Sequence, residues 1–274
     1  MQSQILFRFK FVTHTLIVMI LFNLTPFLAS RSEGSEKYPI YFFSSETNIN
    51  NFVSLKKEFD GYLSKSGYFE FQPFKDSDTF ERHVQKNKNC FMILSNWCYR
   101  KIGRQNAVRP IMVGIREGAK YQKRVLVSNE KNPGADYGKL EPVASSSNIE
   151  DTRSVLADIL KNKHYASSIR ILTVPKDVDA LMSVGFEMAK AALVTEYSIN
   201  NLKMIDPVLH SGLNLLGEGE KSLVLILAET GNNEKHNEKI VKIIKNMPDH
   251  IKRMLDLDGW QVIKPADISI LEEK

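Results

Sequence analysis

From Tyr38 onward, short apolar runs alternate with stretches whose apolar residues recur at helical spacing. YPIYFFS (38–44) is apolar and aromatic, the pattern of a buried strand. In the following NNFVSLKKEFDGYLSKSG, Phe52, Leu55, Phe59, Tyr62 and Leu63 fall on one helical face and Gly67 closes the segment. YFEFQPF (68–74) alternates as a strand, and Asp76 or Ser77 stands where it would cap a short helix carrying Phe80 and Val84. CFMILS (90–95) reads as a buried strand, NWCYRKIG as the helix entered after it, and VRPIMVGI (108–115) and KRVLVS (123–128) as further strands.

The second half repeats this style. KLEPVA (139–144) leads through SSSN into a helix, IEDTRSVLADILKN, whose apolar face is Ile149, Val155, Leu156, Ile159 and Leu160. IRILTV (169–174), KAALVT (190–195) and LVLILAE (223–229) are predicted strands, with the short helix DVDALMSVGF between the first two. EKHNEKIVKIIKN and PDHIKRMLDLD are predicted terminal helices, the last of them ended by Trp260. Alternating strands and helices with continuous apolar strands imply an α/β fold with mostly parallel sheets covered on both faces. The loop at 129–138, which carries Pro and Gly, is a natural crossing point between two lobes.

The first thirty residues follow another pattern. Arg8 and Lys10 form a basic leader without an acid, and TLIVMILFNLTPFLA (15–29) is almost wholly apolar. That run is short against the roughly 20 residues of a bilayer span. Pro26 interrupts it, and Ala29-Ser30 offers a small-residue cleavage site. The layout predicts a secretory signal peptide over 1–29 and a polar, flexible linker over 30–37; an uncleaved N-terminal membrane anchor is the alternative. Removing 1–29 takes away two positive charges and lowers the formal net charge from +5 to +3.

Composition narrows the class without identifying it. With 43% hydrophobic and 25% charged residues, disorder and low complexity are excluded. A mean hydropathy of −0.25 and a single long apolar run exclude a polytopic membrane protein. The small basic excess is spread along the chain and gives no ground for a nucleic-acid partner. The two cysteines, Cys90 and Cys98, bracket the apolar FMIL. Five extended residues span roughly 17 Å, too far for a disulfide, so two buried free thiols are expected.

A search for catalytic or metal-binding constellations is nearly empty. The six histidines form no close pair at ligand spacing, and there is no CxxC, GxSxG or GxxxxGK[ST]. Gly217-Glu218-Gly219 lacks the third glycine of a dinucleotide fingerprint. No catalytic residue, metal or cofactor is expected. One segment does carry chemistry. Ser145-Ser146-Ser147-Asn148 joins a strand to a helix start, where free N–H groups and added hydroxyls form a candidate anion pocket. The alternative needs no ligand: Ser147 and Glu150 have the S-x-x-E spacing of a capping box.

Several segments, in order, resemble the phosphate/phosphite/phosphonate-binding proteins of ABC transporters. Ile93-Leu94-Ser95-Asn96-Trp97-Cys98-Tyr99 is similar to that family's strand, Leu-Gly-Pro turn and following Tyr. Pro110, Glu117-Gly118, Tyr121 and Arg124-Val125-Leu126-Val127 follow in the family's order. Glu141-Pro142 then precedes Ser145-Ser146-Ser147, in the place of the family's Ser-Thr-Ser-Gly helix start. The resemblance covers roughly 38–265. It implies a type II periplasmic-binding fold with two lobes and a cleft between them, lobe 1 from 38–120 plus 215–274 and lobe 2 from 121–214. It also implies ligand contacts at Ser145, Ser146, Ser147, Tyr99, Trp97 and Ser77. There are departures: Asp76-Ser77 replaces an Asp-Tyr start, Lys176 or Asp177 stands near the family's His, and Lys190 near its Asp.

The resemblance implies an exported, periplasmic, monomeric solute-binding protein that captures a small oxyanion for an ABC permease. A sensor or partner-docking module on the same fold, with altered or lost ligand binding, is the second reading. An exported enzyme is the third, and no nucleophile or metal cluster supports it.

Overall fold

The computed structural model describes residues 37–130, 140–231 and 234–272. The predicted signal segment, the linker up to residue 36 and most of the 129–138 loop lie outside the described residues.

β1 (Tyr38–Phe43) shows why the apolar runs are continuous. Ile40 and Phe42 enter one core cluster and Tyr41 and Phe43 another, so both faces of the strand are covered. The first core is closed by α1 (Phe52–Leu63), through Leu55, Phe59 and Leu63, and by α9 (Glu234–Lys245) and α10 (Asp249–Met254), through Ile240, Ile244 and Ile251. The second is closed by α2 (Ser77–Lys86), through Phe80 and Val84, and α3 (Asn96–Gly103), through Trp97, Cys98 and Ile102. Each fully buried Phe or Leu contributes roughly 1.5–3 kcal/mol of burial free energy. Asn51 caps α1 by accepting from Ser54 N, and Asp76 caps α2 by accepting from Thr79 N.

The first sheet has the order β11–β4–β10–β3–β1–β2, with β2 at Phe69–Pro73, β3 at Phe91–Leu94, β4 at Val108–Ile115, β10 at Ile226–Thr230 and β11 at Gly259–Val262. The second has the order β7–β6–β8–β5–β9, with β5 at Tyr121–Ser128, β6 at Val143–Ser145, β7 at Ile171–Thr173, β8 at Ala191–Thr195 and β9 at Asn214–Leu223. One face of the second sheet carries α4 (Ile149–Leu160) and α5 (Lys163–Ser168), through Leu156 and Ala166. The other carries α6 (Asp177–Gly185), α7 (Glu196–Ile205) and α8 (Pro207–Gly212), through Ala180, Leu181, Val184, Leu202 and Leu209.

The sheets are less parallel than the sequence pattern implies. β1, β2 and β3 are mutually parallel, as are β6, β7 and β8, but β10, β11 and β5 run against their neighbours. The chain passes directly from β4 to β5 and from β9 to β10, without an intervening helix. A strand that enters straight from the facing sheet runs opposite to strands whose carboxyl ends point there. The crossings are therefore these two strand pairs. The 129–138 loop instead joins β5 to β6 within one sheet.

Two local expectations differ from the structure, and one open point is settled by it. Residues 214–223, assigned from 215 onward to lobe 1, form β9 and pair with β5 in the second sheet. Trp260 ends no helix; it lies in β11, opposite Gly114, and α11 (Pro265–Glu272) follows it. Gly217 and Gly219 serve packing: a Cβ on Gly217 would lie 2.5 Å from Ile159 Cγ2, and one on Gly219 3.2 Å from the Arg124 carbonyl. Their missing side chains let α4 lie directly on β9.

Candidate functional site

The carboxyl ends of β1, β3, β6, β7 and β8 converge on the space between the sheets, and the predicted serines lie there. All three are buried. Arg124, a cation in the apolar strand β5, reaches them. Its Nη2 donates to Ser145 Oγ at 3.0 Å and to the Leu193 carbonyl at 3.0 Å; its Nη1 donates to Ser147 Oγ at 2.6 Å and Asp151 Oδ2 at 3.0 Å. Ser146 Oγ turns the other way and donates to Asp177 Oδ1 at 2.5 Å.

Asp177 is held by further donors. Its Oδ2 accepts from Thr195 N at 2.8 Å, Thr195 Oγ1 at 3.0 Å and Ser198 Oγ at 3.1 Å, around the start of α7. A helix N-terminus with added hydroxyls is an anion cradle, and here the anion is a side chain of the same protein. Asn148, not Ser147, caps α4 by accepting from Asp151 N at 2.8 Å, so the alternative of a Ser147–Glu150 capping box does not form. Ser147 is engaged by Arg124 and Thr152 instead, and Glu150 pairs with Arg104.

The first sheet answers across the gap. Gln122 Nε2 donates to Glu46 Oε2 at 2.6 Å, Asp177 N donates to the Ser45 carbonyl at 3.1 Å, and Lys176 Nζ donates to the Ile49 carbonyl at 2.6 Å. On the far side Arg100 of α3 pairs with Asp151 of α4 at 2.6 Å. Burial pushes the Glu46 carboxyl up to about 7, with Asp177 adding to the shift and Arg124, Arg116 and Gln122 opposing it. Burial likewise holds the Lys176 ammonium below its usual range. Cavities of about 50 Å³ and about 10 Å³ flank Glu46. The larger has room for one to a few waters, on the order of 10–15 Å³ being needed for one.

The other sequence-predicted residues are placed as follows. Trp97 joins the interface: it lines the larger flanking cavity beside Arg124 and Asp151, and its Nε1 donates to Ser45 Oγ at 3.3 Å. Tyr99, two residues on, packs against the first sheet's core, and its hydroxyl donates to the Val108 carbonyl at 3.3 Å. Ser77 opens α2 beside the capping Asp76. Sequence reasoning missed Arg124 as a site residue, and with it Glu46, Gln122 and Asp151. A signal for Arg124 was present: a cation directly before Val125-Leu126-Val127 in a buried strand demands a buried partner.

A larger cavity, about 510 Å³, opens by Arg116, Gln122, Glu196, Val125, Tyr197 and Leu213 and does not include the serines. The buried hydrogen-bond network around the serines, rather than volume, selects the space between the sheets as the candidate site. Among the described residues, no group of three or more His, Cys, Asp or Glu could hold a metal ion, and no helix is long and apolar enough to cross a membrane. Cys90 and Cys98 are free and buried.

No family model matches the sequence, and no curated protein matches it. Solved structures do. XAC2383 from Xanthomonas citri, solved bound to chloride ion and also bound to ATP, superposes with a TM-score of 0.67 at 11% identity; the chloride form covers 86% of this chain and 95% of its own. A binding protein component of an ABC phosphonate transporter (PA3383) from Pseudomonas aeruginosa gives 0.67 at 13% identity, covering 86% of this chain and 85% of its own. PhnD1 from Prochlorococcus marinus, in complex with methylphosphonate, gives 0.64 at 13% identity, covering 86% and 96%. At such identities the likeness defines the fold. The chain has the type II periplasmic-binding fold, with two helix-flanked sheets facing each other.

Proposed function

We propose that the protein is an exported, non-enzymatic binding protein that captures a small polar solute between its two sheets and presents it to an ABC permease. The observation that carries this reading is a set of buried polar atoms without a hydrogen-bond partner: Thr47 Oγ1, Ser95 Oγ, Asn96 Oδ1, Arg116 Nη2 and Arg124 Nε. They belong to the segments that meet around Glu46. Leaving such atoms unpaired costs roughly 1–3 kcal/mol each, so the interface is suited to donors and acceptors brought by a solute or by water.

The charges bear on the solute's chemistry. Arg124 and Arg116 favour an anionic group, whereas Glu46, Asp151 and Asp177 oppose a bare, fully ionised one. An oxyanion bearing a proton of its own, such as a monoprotonated phosphate or phosphonate, or a zwitterion, supplies both an acceptor for the guanidinium groups and a donor for the carboxylates. The signal-like leader and the fold's resemblance to exported binding proteins support a periplasmic location.

The second reading, a sensor or partner-docking module, draws on a specific observation: Arg124 and Asp177 already satisfy the serine hydroxyls from within. Thermal-shift measurement of the mature chain against phosphate, methylphosphonate, sulfate and small amino acids separates the two. A ligand at 100 times its Kd stabilises by about 2.7 kcal/mol. Replacing Ser145 and Ser146 together with Ala abolishes that shift if the cluster holds the solute. A panel without any shift removes solute capture and leaves the docking role.

A further inference from the structure

We propose, on the reading that the solute binds between the sheets, that Glu46 is a tethered plug of that site: its side chain stands where a solute would, holds the sheets together as the neutral acid and lets them part as the carboxylate. Glu46 follows the carboxyl end of β1 and is only 4% exposed. Cavities flank it on two sides, so it stands at the centre of the polar interface rather than at its rim. Its bond to Gln122 crosses from one sheet's segment to the other's, and Gln122 is steadied in turn by Arg116 Nη1 at 3.2 Å.

The surroundings carry both signs of charge. Arg124, Arg116 and the Gln122 amide act on the carboxylate favourably and Asp177 unfavourably, and burial is the largest influence, against the carboxylate. Arg100 and Asp151 line one flanking cavity with it, paired to each other, and Lys176 lines the other. Asp158, Glu220 and Lys221 are the other charged groups lining the first cavity.

The sign of the pH effect follows from burial. In the closed form the carboxyl titrates at about 7, against a usual 4.5 once the sheets part and water reaches it. Closure therefore takes up a proton. It is unpenalised below the open-form value and loses ground as pH rises towards 7, and above that the full cost of burying the carboxylate applies. Between pH 5.5 and 8.5 the ratio of closed to open molecules falls roughly 30-fold by this linkage.

Trp97 reports the change, because it lines a cavity with Glu46 and donates to Ser45 Oγ, whereas Trp260, the other tryptophan, lies in β11 opposite Gly114 and does not line that cavity. In the mature chain without solute, tryptophan emission is expected to move to the red between pH 5.5 and 8.5, and Glu46→Gln to stay at the blue position at both. An unchanged wild-type spectrum, or a red shift persisting in Glu46→Gln, overturns the proposal. Should that variant fail to fold, carboxyl-carbon NMR of the glutamate-labelled wild type decides: one glutamate titrating near 7 supports the plug, and none doing so refutes it. These measurements use no solute, so they stand or fall apart from the ligand panel. A panel that binds neither chain, beside an intact emission change, sinks solute capture and leaves the pH-dependent closure.

Discussion

Arg124→Met is the most direct probe of the network that fills the interface. The substitution keeps most of the aliphatic volume and deletes a buried guanidinium with four partners: Ser145 Oγ, Ser147 Oγ, Asp151 Oδ2 and the Leu193 carbonyl. Breaking a buried ion pair by removing one partner costs about 3–5 kcal/mol, because the other charge is stranded. Asp151 is not wholly stranded here, since Arg100 remains 2.6 Å away. The lower end, about 3 kcal/mol, is therefore expected. For a fold of this size that corresponds to a fall in Tm of roughly 6–12 °C. Arg124→Lys should recover only part of the loss, since an ammonium cannot span the same partners as the planar fork. Urea melts followed by far-UV circular dichroism measure the change, with an unaltered m-value showing that it lies in the native state. A cycle with Asp151→Asn should give a coupling energy of about 1–3 kcal/mol. A loss under about 0.5 kcal/mol, or strict additivity with Asp151→Asn, would refute the account of Arg124 as a buried, charge-paired centre of the serine network.

Other consequences can be checked in the same way. Gly217→Ala should destabilise by roughly 1–3 kcal/mol, because the new Cβ meets Ile159 Cγ2 at the close contact of α4 with β9; an unchanged urea midpoint would contradict it. Asn148→Ala should cost about 1 kcal/mol as the lost cap of α4, a loss that equilibrium unfolding can resolve. Burial raises the Cys90 thiol to about 11 and the Cys98 thiol well above its usual value, so iodoacetamide at pH 8 should label neither in the native chain. Both should be labelled in denaturant without reductant, and mass spectrometry finding neither labelled, with a loss of two hydrogens, would show a bridge.

The sequence by itself determined most of the secondary structure and the class of fold. Continuous apolar strands such as YPIYFF must be covered on both faces, and amphipathic helices such as Phe52–Leu63 supply the cover; both signals are local and periodic. The serine cluster was legible too, as hydroxyls at a strand-to-helix junction. The pattern could not show how the sheets exchange strands. β9 reads Asn-Leu-Leu-Gly-Glu-Gly-Glu-Lys-Ser-Leu and has little apolar alternation, because it is an edge strand paired on one side only. β11 is four residues long, too short for its period to register. Nor could spacing reveal what faces the serines. Arg124 and Asp177 lie 21 to 31 residues from the serines they bond and reach them through the packing of the second sheet, and Glu46 meets Gln122 only once the two crossings bring the sheets face to face. Whether a hydroxyl cluster meets solvent, a ligand or a buried guanidinium depends on long-range packing, and that the tertiary structure alone decided.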